Sequence, residues 1–426
     1  MTELKAGFGV SLITPKVGAE LVGYSNRLGL STGVHDKLHS RALVMEGDGR
    51  IWALSSNELC WIGSPVVASV RKKVAERTSI PENNIFISTV HTHSGPSDDH
   101  AEDWDRSLTD LVADAIVQAY ENRVPARVGA GRGRLDGWTI NRRFIDRPVD
   151  PGMGVLKVEE LDGKLLGLVA NWNCHAVVLG SDNLLISADF PGVTSAQLEE
   201  RMGGDAVALY LNGGTGDVNP LTSGVHARLT GEYTIDTMVP GVHYYGTADT
   251  EPRFHIGDRG GGTFEEVEAL GQAVAEEVWK IARTTQAGEA SRPPWMRSAH
   301  VPIRREGASA IEDARILKGA WRRWNGEVEI AALGVDEVAV IGEPGEVFAE
   351  TVLMFKKRLS RMGFGVPMMS SYANGFFVYL PPSEAFIEGG YEVEWARRLG
   401  LREDLQTTMW EAIESVLPYD ARQLRC

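Results

Sequence analysis

His91 and His93 stand two residues apart in Ser88-Thr89-Val90-His91-Thr92-His93-Ser94-Gly95-Pro96, directly behind the apolar run Ile85-Phe86-Ile87. Residues two apart on a strand share a face, so the two imidazoles are expected side by side at a strand's end. Gly95 and Pro96 are expected to stop that strand. Neutral imidazole nitrogen is a favoured zinc ligand. The same pair also suits polar residues capping a sheet edge, and the motif alone leaves both readings open.

Other apolar runs end in similar chemistry. Leu165–Trp172 leads into Asn173-Cys174-His175, which repeats the pattern of a strand that ends on imidazole. Downstream, Ser187-Ala188-Asp189-Phe190-Pro191-Gly192 enters a helix; Asp189 suits a carboxylate behind a metal ligand, but a helix N-cap is the commoner reason for Asp there. Cys174 reads as a small buried hydrophobe. Leu211 through Pro220 is a glycine-rich turn whose backbone N–H groups can approach an oxyanion or phosphate, although many tight turns look the same. Val340 through Glu346 places Glu343 and Glu346 after an apolar strand, and Tyr379 through Tyr391 is a polar loop with a tyrosine at each end. Strand ends carrying His, His, Asn, Glu and Tyr are what one active site on a single sheet edge needs.

The elements that must position these residues read as an α/β fold, with mixed β-sheets flanked by helices. Residues 51–57 are expected as a strand, 64–78 as a helix with Ser64 as N-cap and Pro65 in its first turn, and Ile85–Val90 as a parallel partner strand. Further helices are expected at 108–122, 191–202, 263–284, 309–324, 347–362 and 392–416. Strands are expected at 206–212, 328–334, 336–342 and from Val366, with a hairpin turning on Asp162-Gly163. Without repeats or a clear linker, residues 1–426 read as one domain. The connection 213–262, with Tyr233, His243, Tyr244, Tyr245, Phe254 and His255, reads as a lid or specificity loop, or as a packed surface excursion.

Composition narrows the partners. Net charge is −15, which disfavours nucleic acid and anionic membrane surfaces. The three cysteines, Cys60, Cys174 and Cys426, are scattered and odd in number, which argues against a disulfide framework. The opening residues show no charged segment followed by a long apolar one, and no apolar run approaches a membrane span. A cytoplasmic protein without stable membrane anchoring is the expectation.

Taken in order, Gly23-Tyr24-Ser25-Asn26-Arg27, the His91 motif through Pro96, Asn141-Arg142-Arg143, Asn171 through His175 with Ser187–Gly192, Gly216–Pro220, Pro344-Gly345-Glu346 and the Tyr379–Tyr391 pair resemble the neutral ceramidase family. The resemblance implies one catalytic zinc ion per chain, held by His91, His175, Glu346 and Tyr379. It also implies that His93, Arg142 and Tyr391 bind the substrate amide or polarise its carbonyl. Two departures bear on substrate. Asn219 stands where the family's ceramide hydrolases carry serine, which leaves water activated on the metal as the nucleophile and Asn219 as an N–H donor to the oxyanion. The chain also ends soon after Tyr391, before the family's C-terminal immunoglobulin-like domain. The expected activity is therefore zinc-dependent hydrolysis of an amide bond in a soluble or short-chain small molecule.

Alternatives remain at this level. The chain also reads as a true ceramidase acting on N-acylsphingosine, or as a non-catalytic binding member of the family. A dinuclear hydrolase would need Asp and His two and three residues after His93, where Gly95 and Pro96 stand; Asp99-His100 comes too late. Amidohydrolase barrels open on their His-x-His strand, whereas here some ninety residues precede it.

Overall fold

The structure, a computed structural model, describes residues 3–98, 101–229, 261–302 and 327–418. An eight-stranded sheet runs in the spatial order Val207–Asn212, Leu165–Trp172, Gly152–Glu160, Val124–Arg134, Lys5–Leu12, His39–Gly47, Arg50–Asn57, Ile85–Thr89. A four-stranded sheet orders Trp295–Pro302, Glu327–Val335, Val338–Gly342 and Val366–Ser370. Both contain parallel and antiparallel pairs, as expected of a mixed α/β fold.

Strand alternation sorts the core into layers. Trp52, Leu54, Val169, Leu209 and Leu211 of the large sheet pack against Ala331, Leu333, Val335, Val338 and Val340 of the small one. The intervening residues face outward. Ala53 and Ile87 meet Val67, Val70 and Val74 of helix Ser64–Arg77 and Val112 and Ile116 of helix Leu108–Glu121. Leu168, Ala170 and Tyr210 meet Val274 and Val278 of helix Phe264–Thr284. Ile330, Ala332 and Ile341 of the small sheet meet Val352, Phe355 and Ile413. The order is helix, sheet, sheet, helix. Strands covered on both faces read as continuous apolar runs, as Val207–Asn212 does.

The large sheet closes on itself where it matters. One edge strand, Val207–Asn212, meets the far side of the sheet: Asn212 Nδ2 donates to the O of Val90, just past the other edge strand, at 2.9 Å, and Ser56 Oγ of the adjacent strand Arg50–Asn57 donates to Tyr210 O. Tyr372–Asn374 then runs beside strand Ile85–Thr89, with Thr89 N donating to Tyr372 O and Asn374 N to Ile87 O. Residues that follow opposite edges of the sheet are thereby brought together. The site is consequently built from several ladders rather than from the single sheet edge anticipated.

Several expectations need correction. Helix Ser64–Arg77 has Gly63 at its N-cap, and Ser64 is its first residue; the Gly63 N–H is taken by Asp98 Oδ2 at 2.9 Å. Asp189 is not an N-cap, because Ala188 holds that position without a side-chain bond. With φ of 56°, Asp189 accepts instead from Phe190 N and from Leu179 N, fastening the chain that follows His175. The single helix expected at 392–416 is two, Tyr391–Arg398 and Leu405–Val416. Gly400, at φ 78°, ends the first in a Schellman motif, with Leu401 N donating to Ala396 O and Gly400 N to Arg397 O. The expected helix at 309–324 lies outside the described residues, as do 230–260 of the proposed lid; the described start of that connection forms strand Val218–Pro220 and helix Ser223–Leu229. Among the described residues no helix is long and apolar enough to cross a membrane.

Glu343 follows strand Val338–Gly342 with both carboxyl oxygens buried and, among the described residues, unbonded. Burial raises its pKa to about 8. The native state therefore holds a proton that the unfolded chain has lost between the ordinary glutamate range and pH 8, so stability falls as pH rises through that window. Glu343→Gln is expected to flatten the fall, with little change near pH 4 and a gain on the order of a few kcal/mol at pH 9. Urea unfolding at the two pH values checks it.

Candidate active site

Strand Ile85–Thr89 ends before the histidines, and His91 has a left-handed backbone, φ 63°. The pleat does not therefore place His91 and His93 on one face, as the spacing suggested; a turn does. His91 N donates to Leu59 O and His93 N to Ala176 O, and the two Nε2 atoms come within 3.1 Å. His175 follows strand Leu165–Trp172, and its ring centroid lies 4.9 Å from that of His91 and 5.1 Å from that of His93. Glu346 faces both ligand candidates, 3.6 Å from His91 Nε2 and 3.5 Å from His175 Nε2.

A two-residue parallel ladder sets Glu346 opposite Tyr379. A second small ladder pairs Asn219 with Ile140 and Val218 with Asn141, which delivers Arg142 beside Asn219. Asp217 fixes this corner: its carbonyl accepts from Arg142 N, and its carboxylate accepts from Asn141 Nδ2 and Ala349 N. Burial still lifts its pKa to about 6. Arg142 Nη2 donates to Tyr379 Oη at 3.0 Å and Nη1 to Asn219 Oδ1 at 3.4 Å. Tyr391 opens its helix with its ring 5.7 Å from that of Tyr379. All eight residues singled out from the sequence, His91, His93, Arg142, His175, Asn219, Glu346, Tyr379 and Tyr391, converge on one site.

Its electrostatics suit a cation. Burial drives the pKa of His91 down to about 3 and those of His93 and His175 well below the usual histidine range, so the rings are neutral. His91 Nδ1 donates to Cys60 O at 2.8 Å, and His175 Nδ1 donates to Thr215 O at 2.9 Å. Those bonds set the tautomers and turn both Nε2 lone pairs inward, the usual arrangement behind metal-binding histidines. The buried Nε2 of His175 has no hydrogen-bond partner among the described residues. Ligand atoms of His91, His175 and Glu346 lie within 4.8 Å of one another. A second group, Cys60, His91 and His93, is equally close, but His91 Nδ1 is already committed and burial and the Glu346 charge keep the Cys60 thiol protonated. The first donor set fits a divalent metal.

A sequence model described as "Neutral/alkaline non-lysosomal ceramidase, N-terminal" matches residues 4–291. The chain belongs to that family. Among curated relatives, neutral ceramidase B of Dictyostelium discoideum is 24% identical over 359 residues, covering 74% of this chain and 49% of its own length. A neutral ceramidase of Pseudomonas aeruginosa is 26% identical over 244 residues, covering 50% of this chain and 36% of its own. The chain thus spans about half or less of the length of these relatives. The crystal structure of a Pseudomonas aeruginosa neutral ceramidase superposes with a TM-score of 0.71 at 18% identity, over 97% of this chain and 74% of that one. The neutral ceramidase catalytic fold is shared.

Within this family member, sequence reasoning passed over several residues that hold the site. Tyr372, also left-handed, stacks on His91 with ring centroids 3.9 Å apart, and its hydroxyl bonds Thr215, the residue whose carbonyl holds His175. Its strand was anticipated, but nothing in Ser-Ser-Tyr-Ala marks the ring. Glu392 was also overlooked beside Tyr391. Gly23 and Tyr24 belonged to a quoted motif without a role. Tyr24 packs edge-on to His93 at 4.8 Å, and its hydroxyl donates to Leu179 O. Gly23, at φ 100°, lies so close that a Cβ there would fall 2.4 Å from His93 Cγ. Gly23→Ala is expected to displace the His93 ring and lower kcat by about 10²-fold, the usual consequence of a misplacement near 1 Å. Steady-state kinetics beside a thermal melt check it.

Proposed function

We propose that this chain is a metal-dependent amidohydrolase that uses water to cleave an N-acyl amide bond in a soluble or short-chain substrate. One zinc ion per chain would be held by His91, His175, Glu346 and Tyr379. The observation that carries the reading is the convergence of two inward imidazole Nε2 atoms and one carboxylate, all buried, at a single point. Bound zinc would supply Lewis acidity and lower the pKa of a water to about 7.

The chain's own residues do the rest. Arg142 is a permanent cation beside Tyr379 and stabilises negative charge developing on a carbonyl oxygen. Its bond to Asn219 Oδ1 turns the carboxamide so that Nδ2 becomes a second donor. Neutral His93 and the Tyr391 hydroxyl orient the amide. Asn219 has no nucleophilic oxygen, so no acyl-enzyme forms at that position. The water oxygen bonds to the carbonyl carbon, the C–N bond breaks, and a proton passes to the departing amine.

Asn219 and the net charge of −15 support a soluble substrate over one embedded in an anionic lipid surface. Hydrolysis of ceramide itself is the second reading, favoured by the names of the relatives. A panel of N-acyl amines, micellar long-chain ceramide included, separates them. The expected result is a higher kcat/KM for short-chain amides. A best kcat/KM for long-chain ceramide would make this a compact ceramidase, and no turnover of any amide would leave a binding protein.

A further inference from the structure

Arg142 is held from behind by a residue to which neither motif nor mechanism assigns a part. Its Nε donates to Glu392 Oε1 at 2.8 Å, and both side chains are fully buried. A guanidinium is planar and rigid, so a bond that holds its Nε edge also fixes where both Nη groups point. Those groups reach Tyr379 Oη and Asn219 Oδ1, the two partners that the proposed chemistry needs. The other carboxylate oxygen of Glu392 lies 3.4 Å from Arg143 Nε, and Arg143 Nη2 donates to Gly389 O at 2.6 Å. Glu392 is thus clamped between two arginines in the first turn of helix Tyr391–Arg398, where a negative charge also suits the helix dipole.

We infer that Glu392 is a positioning residue: it aims the Arg142 guanidinium at Tyr379 and Asn219, and its place directly after Tyr391 ties the position of that tyrosine to the same clamp. The inference rests on the hydrolase reading above. A carboxylate that only neutralised two buried arginines would contribute to stability and leave the chemistry of the folded protein untouched. A carboxylate that aims one of them must also show in turnover.

The test compares wild type, Glu392→Gln and Glu392→Ala on a chromogenic short-chain N-acyl amide, with thermal melts to establish the folded fraction. Gln keeps an acceptor for Nε at nearly the same place; Ala removes it. The expected kcat loss is about tenfold for Gln and about 10²-fold for Ala, with KM changing far less. Should Ala fail to fold, the Gln comparison decides. The second readout is the phenolate-to-metal charge-transfer absorption of the copper(II)-loaded protein, which is expected to shift to longer wavelength in Glu392→Gln as Arg142 loosens from Tyr379. Folded variants with wild-type kcat and an unmoved band would overturn the inference. A wild-type protein without such a band would overturn Tyr379 as a ligand instead, and the kcat comparison would then decide Glu392 alone.

Discussion

Replacing His175 by alanine is expected to abolish the proposed metal binding and reduce amide hydrolysis by more than ~10³-fold, because a water without Lewis-acid activation is a poor nucleophile at neutral pH. His175 is fully buried, its Nδ1 is committed to Thr215 O, and its Nε2 is one of three donors that meet within 4.8 Å. Among the described residues the third imidazole of the site, His93, turns its Nε2 toward His91. Metal analysis after dialysis, paired with kinetics and a melt, separates loss of metal from loss of fold. A full metal complement in a folded His175→Ala protein would remove His175 from the ligand set.

Asn219→Ala is the second large effect, expected at ~10² in kcat, the usual cost of losing one oxyanion donor. Its side chain is fully buried and its oxygen faces Arg142, so alanine also leaves one N–H of a buried cation without that acceptor. Some of the loss will therefore come from a guanidinium that has lost a fixed point. Single-turnover hydrolysis in isotopically labelled water is expected to place the label directly in the acid product. A trapped covalent adduct on any side chain would contradict the water mechanism.

What could be read beforehand followed from local rules. Apolar runs predicted strands such as Arg50–Asn57, Ile85–Thr89, Val207–Asn212 and Val338–Gly342 but not Lys5–Leu12, His39–Gly47 or Trp295–Pro302, while Asp162-Gly163 predicted the hairpin between Gly152–Glu160 and Leu165–Trp172, with Gly163 at φ 92°. The eight site residues were found because each follows an apolar run or sits in a family motif. The residues that aim them were not, because their partners are remote in sequence: Glu392 lies 250 positions from Arg142, and Tyr372 lies 157 from Thr215. Closure of the large sheet between Asn212 and Val90 is equally non-local. His91 shows the limit most clearly. Strand periodicity brought it next to His93 in the sequence reading, yet a left-handed turn does so in the structure. The break at Gly400 was legible as a helix C-terminus, and the longer apolar pattern on both sides concealed it.

The central claim is one divalent metal in the pocket of His91, His175, Glu346 and Tyr379. Anomalous diffraction from crystals of the protein, recorded on either side of the zinc absorption edge, tests it most directly. The expected map has a single peak per chain, bonded to both Nε2 atoms, the Glu346 carboxylate and the Tyr379 phenolic oxygen. A peak seated on Cys60 and His93, a pair of peaks in the pocket, or no peak in protein that hydrolyses amides at full rate would contradict it.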